Sequence, residues 1–145
     1  MTTRTGAYSR DTDLTGLWSG EYWYAGMSFP TPFTAHLIDQ QGDLSGTTLE
    51  PRTFGVGEQP ELSAEINGAR GELSVRFTKL YDHGQGAHRF PIHYTGTVDP
   101  KFTLIEGEWT FSNPGELQGR FVLMRVSRGA EAVAVETGAT VAAKR

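Results

Sequence analysis

Apolar and polar residues alternate along most of the chain. In Phe33-Thr34-Ala35-His36-Leu37 and in Leu62-Ser63-Ala64-Glu65-Ile66 every second side chain is apolar, the period of a strand with one face in a core and one in water. No segment before the C-terminal tail sustains a helical period, and 18 glycines supply breaks between the alternating runs. The pattern predicts eight strands, over residues 16–25, 32–40, 43–52, 61–68, 71–81, 88–99, 102–112 and 116–127. Short turns are expected at Gln41-Gly42-Asp43, Asn67-Gly68-Ala69 and Asp99-Pro100-Lys101, where Gly, Asn and Pro favour reversal. The other connections, Gly26 to Thr31, Thr53 to Pro60, Asp82 to Ala87 and Ser112 to Gly115, are mostly longer and gather at the opposite, open end.

Sorting each strand by parity gives one apolar face. It holds Trp18, Tyr22 and Tyr24 on the first strand, Leu73, Val75 and Phe77 on the fifth, Phe90, Ile92 and Tyr94 on the sixth, and Leu117, Phe121 and Leu123 on the eighth. Ser19, Glu21, Asp39, Glu65, Arg76 and His93 are assigned to water. Eight sequential antiparallel strands with one wet face lose their exposed edges by closing on themselves. The expected fold is therefore all-β, a single eight-stranded antiparallel up-and-down meander barrel over residues 14–127, with a two-sheet Greek-key sandwich as the competitor. Residues 1–13 read as a flexible arm. Residues 128–145, rich in Ala, Val and Thr, read as a tail or short helix.

Composition narrows the function classes. The 145 residues carry 13 Lys plus Arg against 17 Asp plus Glu, a net charge of −4 with no basic run, so no nucleic-acid surface is expected. Cysteine is absent, which removes disulfides, thiolate metal sites and thiol nucleophiles together. The start MTTRTGAYSR has no apolar core of a signal peptide, and no segment approaches the roughly 20 apolar residues that span a bilayer. The expectation is a cytoplasmic chain without membrane contact.

Gly16-x-Trp18 at the start of the first strand resembles the opening of the calycin superfamily of lipocalins, fatty-acid-binding proteins and avidins. In that superfamily a basic residue near the end of the last strand packs over this Trp. Arg125, of the same parity as Phe121 and Leu123, matches it, so the resemblance implies a structural Trp18–Arg125 plug. The layout is most similar to the avidin meander, with GDLSGTT at 42–48 similar to its second hairpin. The avidins' biotin-contacting positions fall at Gly20, Tyr24, Thr48 and Glu50, which do not carry the matching polar groups. Haem-binding nitrobindins share Gly16-x-Trp18-x-Gly20, yet no His follows His93 to serve as their axial ligand. FTKLYD, HYTGTV, EGEWTF and GRFVLMR resemble small bacterial barrel proteins of no assigned function.

The inward glycines and alanines, among them Gly20, Ala35, Ala64, Gly107 and Gly119, either let strands coil tightly or leave a pocket. On the pocket reading, a compact, partly apolar ligand sits in the barrel mouth, lined by Tyr22, Tyr24, Thr48, Lys79, Tyr81, Tyr94 and Trp109. The alternative is an isomerase, cyclase or hydrolase using Lys79, His83 or His88 as acid or base. Against it, Lys79 is expected to snorkel to the rim, with the loop histidines in solvent. No cofactor is expected, and no metal, since His83 and His88 lack a third ligand. Trp23, Leu17, Leu80, Val122 and Met124 form an outer apolar patch, expected to pair two copies or to serve as an interaction module.

Overall fold

A computed structural model describes residues 12–53, 57, 59–87, 90–111 and 117–128. The alternating runs form eight strands: β1 (Gly16–Tyr24), β2 (Thr31–Gln40), β3 (Asp43–Pro51), β4 (Glu61–Gly71), β5 (Ser74–Tyr81), β6 (Ile92–Val98), β7 (Leu104–Phe111) and β8 (Gln118–Arg128). Each pairs antiparallel with the next, and β8 returns to β1 to close the barrel. The fold is thus an all-β, eight-stranded, up-and-down barrel, with no Greek-key crossover among the described strands. No helix among the described residues is long and apolar enough to cross a membrane. The expected C-terminal element over residues 128–145 apart from Arg128, most of the N-terminal arm, the Ser112–Gly115 connection and His88 lie outside the described residues.

Several expectations change. The turn assigned to Asn67-Gly68-Ala69 lies farther on: β4 continues to Gly71, and Glu72 takes the left-handed conformation (φ 57°) at the reversal. Gly68 is a strand residue opposite Phe77, where a β-carbon would come 2.1 Å from the Arg76 carbonyl oxygen. Leu73, placed inward, therefore sits in the turn and is exposed. Phe90 and Leu117 are also exposed, because β6 starts only after Pro91 and β8 only at Gln118. Leu17, expected on the exposed outer patch, is buried beside a bulge at Leu17/Trp18 that shifts the β1–β8 register.

Asp39 was assigned to water and is buried. It shares the inward parity of Phe33, Ala35 and Leu37, so alternation carries it inside, where its carboxylate meets Arg70 Nε at 2.6 Å. Its Oδ2 also accepts from the Leu14 backbone N–H (3.0 Å), and its Oδ1 from that of Gly42 (2.8 Å). Beside it the Arg125 guanidinium lies 4.7 Å over the Trp18 ring and donates to the carbonyls of Phe102, Asp13 and Thr15. The indole of Trp18 donates to Leu14 O at 2.9 Å. Each charge taken from water here is matched by donors or acceptors, as a buried charge requires. This end of the barrel is closed.

The inward glycines serve strand approach. A β-carbon at Gly107 would stand 1.9 Å from the Thr95 carbonyl oxygen and 2.5 Å from Gly96 Cα, and one at Gly20 would stand 1.8 Å from Val122 O. They mark tightly coiled wall, and the interior is filled by rings: Phe77 stacks on Tyr94 at 4.8 Å, and Phe121 meets both edge-on. Replacing Gly107 with Ala pushes a methyl group into backbone. Gly107→Ala should therefore destabilise the barrel by about 1–3 kcal/mol in denaturant unfolding, the usual cost of overpacking. An unchanged midpoint would show the wall there to be loose.

Candidate functional site

The open end is where β1, β3, β5 and β7 finish and β2, β4, β6 and β8 begin. Alternation points Tyr22, Glu50, Lys79, Tyr81, Tyr94 and Trp109 into the barrel near it, each nine-tenths buried or more. Glu50 is the residue that the sequence reading left out of the site. Its parity follows Leu44, Gly46 and Thr48, and Lys79 follows Val75 and Phe77, so two inward charges of opposite sign on neighbouring parts of the wall were the available signal.

Glu50 accepts from three side chains. Lys79 Nζ donates to Oε1 at 2.7 Å, Tyr22 OH to Oε2 at 2.6 Å, and Tyr81 OH lies 3.0 and 3.1 Å from the two oxygens. The ammonium also sits among four rings, 4.8 Å from the Tyr22 centroid, 4.9 Å from Tyr81, 5.1 Å from Phe33 and 5.9 Å from Tyr94. Lys79 is 1% exposed and Glu50 2%, so the expected snorkel to the rim does not occur. A charge this deep is tolerated because carboxylate and ring faces replace its water. Burial pushes the Lys79 amine below the usual lysine range, and Glu50 opposes the shift. Burial, and then the Glu50 charge, raises the phenols of Tyr22, Tyr24 and Tyr81. Tyr94 rises too, chiefly by burial.

Space lies elsewhere. Within the mouth a void of only about 10 Å³, roughly the size of one water, is bounded by Tyr22, Tyr24, Tyr81, Tyr94, Trp109 and their neighbours Ile92 and Phe111. Lys79 and Thr48 do not line it. Thr48 is buried between Ala35 and Ala64 on the adjacent strands, its hydroxyl without a hydrogen-bond partner. On the outer side of Tyr24 and Trp109 opens a cleft of about 350 Å³, formed by the end of β1, residues 25–27, and the facing parts of β7 and β8. Tyr24 and Trp109 border both spaces, their rings edge to face at 5.1 Å. Trp109 Nε1 is buried with no acceptor among the described residues, an arrangement that costs about 1–3 kcal/mol when left unmet. A second depression of about 300 Å³ lies on the outer face of β4–β6 around Gly68, away from the mouth.

The mouth is asymmetric. Arg52 ties the β3–β4 and β5–β6 connections together, donating to Gln59 O and Gln85 O at 2.6 Å each, while Gln85 Oε1 accepts from the Ser63 N–H. Residues 25–30 between β1 and β2 are held by Ala25 N–H to Gln118 O and Met27 N–H to Tyr24 O, and they expose Met27 and Phe29. The cleft is on this second, less braced side. His83 is exposed on the braced side, and no group of three or more His, Cys, Asp or Glu suited to a metal exists among the described residues. Trp23 is half-buried beneath Arg120, and Val122 is half-buried, whereas Met124 is exposed. No protein-family model matches the chain and no curated protein matches it, so geometry carries the reading that follows.

Two outcomes are expected of the charged cluster. Lys79→Met leaves Glu50 buried without its cation and should cost about 3–5 kcal/mol, whereas adding Glu50→Gln, which keeps an acceptor for Tyr22 and Tyr81, should recover much of that loss. Additive losses in the double variant would mean that the pair is not coupled. The tyrosines set the alkaline limit. Their folded pKa values lie above the unfolded value near 10, so their contribution is fully present below that pH and is lost as the pH climbs toward the folded values. Phenolate absorbance from Tyr22, Tyr81 and Tyr94 should therefore appear together with unfolding; its appearance at pH ~10 in folded protein would contradict their burial.

Proposed function

We propose that the protein binds a compact, partly apolar small molecule at the open end of the barrel, in the cleft walled by Tyr24 and Trp109. One observation carries this: the same two aromatic residues border the cleft and the interior void, and one of them holds a buried N–H with no acceptor among the described residues. A cleft of about 350 Å³ falls within the size range of small-ligand sites, roughly 300–1,000 Å³. A ligand acceptor that reaches the Trp109 indole would meet that N–H. The resemblance to calycins, which carry small ligands in barrels of this kind, supports the same reading.

Acid–base catalysis at Lys79 has less support. A useful base needs a free lone pair, and a useful acid needs a proton it can give away at the working pH. Glu50 already accepts from three donors, both of its phenol donors are raised far from neutrality, and Lys79 borders neither space. The cluster acts as a rigid support that fixes the Tyr22 and Tyr81 rings.

The three tryptophans supply an internal control. In a nitrogen-resolved spectrum of the labelled protein titrated with mixed aromatic fragments, binding in the cleft should shift the indole resonances of Trp23 and Trp109. Trp18, at the closed end, should not move. Fragments that leave Trp23 and Trp109 in place, or that move Trp18 equally, would overturn the proposed site.

A further inference from the structure

We infer that the cleft takes a planar aromatic carboxylate, its ring against Tyr24 and Trp109 and its carboxylate on Arg120; the inference rests on the cleft being the ligand site. Two rows of residues cross the same three strands, one position apart. Tyr24, Gly119 and Trp109 form the inner row, and Trp23, Arg120 and Glu108 the outer one. All six border the cleft, which therefore has an aromatic inner wall and a charged lip. Gly119 keeps the inner row open between its two rings: a β-carbon there would stand 2.7 Å from the Trp109 ring and 1.7 Å from the Trp23 carbonyl oxygen.

Arg120 supplies the charge recognition. Its guanidinium lies 4.0 Å from the Trp23 ring centroid, which holds the planar group by its face. It makes no ion pair among the described residues, so the N–H donors along its edge can take a carboxylate in the two-bond geometry that arginine favours over lysine. The side chain is exposed and already oriented, so little rotamer freedom is lost on binding. Glu108, directly across from Arg120 on β7 and also exposed, opposes an anionic ligand. Its effect on a carboxylate has the opposite sign to that of Arg120, which makes the pair a test of ligand charge.

Equilibrium dialysis with 2-naphthoate and its neutral counterpart 2-naphthamide separates the contributions. The wild-type protein should hold the naphthoate about tenfold more tightly, and Arg120→Gln should weaken naphthoate about tenfold and naphthamide much less, so that the preference is lost. Glu108→Gln should strengthen naphthoate about threefold, and added salt should weaken naphthoate wherever Arg120 is present but not in Arg120→Gln. Both substitutions are at exposed positions, and matching unfolding midpoints would verify that the variants are folded. Equal binding of the two probes, indifferent to Arg120→Gln, would overturn the carboxylate while leaving the cleft as a ligand site. Binding of neither probe would overturn the aromatic class, and the indole resonances under mixed fragments would then decide separately on the cleft.

Discussion

The Glu50 carboxylate is the constraint around which the open end is arranged. An ionised group 2% exposed cannot keep its water, and desolvating it costs several kcal/mol unless protein groups replace the lost solvation. Tyr22 on β1 and Lys79 and Tyr81 on β5 make that replacement around Glu50 on β3, and the rings around the ammonium complete it from the cation's side. The positions of β1, β3 and β5 at the mouth are thereby tied to a single point. A cluster so fully paired has no donor or acceptor left for a ligand without a large loss. On the proposed reading the ligand is taken at the neighbouring wall, where Tyr24 is half-buried and Trp109 Nε1 has no acceptor among the described residues.

The two ends of the barrel handle buried charge in different ways. At the closed end Asp39, Arg70 and Arg125 bind backbone groups of the entering chain and of the turns, so their charges seal the barrel against Leu14 and Phe102. At the open end the charges pair with side chains inside the wall and leave the rim to loops. Of those loops, the β3–β4 and β5–β6 connections are joined through Arg52 and Gln85, and residues 25–30 are held by backbone bonds from Ala25 to Gln118 and from Met27 to Tyr24.

Alternation was enough to read the barrel, because eight runs of period two with turn residues between them leave few other ways to hide the apolar face. It failed where residue type was allowed to override parity. Asp39 is expected in water although it continues the Phe33, Ala35, Leu37 series, and Glu50 is not among the expected lining residues although it continues Leu44, Gly46 and Thr48. Each has an inward partner of opposite sign, Arg70 and Lys79, on a strand that alternation also points inward. An inward acid matched by an inward base was therefore legible, but only by reading strands in pairs. The glycines were ambiguous in principle, since a missing side chain opens a pocket or admits a neighbouring strand, and only the distances at Gly20 and Gly107 decide. The cleft was not legible, because it arises where an inner row and an outer row of β1, β7 and β8 meet a loop.

A high-resolution crystal structure of the protein purified from its own host tests the central claim most directly, that the interior charges are support and the ligand site is the adjoining cleft. The account predicts bound density against Tyr24, Trp109 and Arg120, with Lys79 Nζ still in contact with Glu50. Density inside the barrel, parting Lys79 from Glu50 and taking the place of one of them, would contradict it.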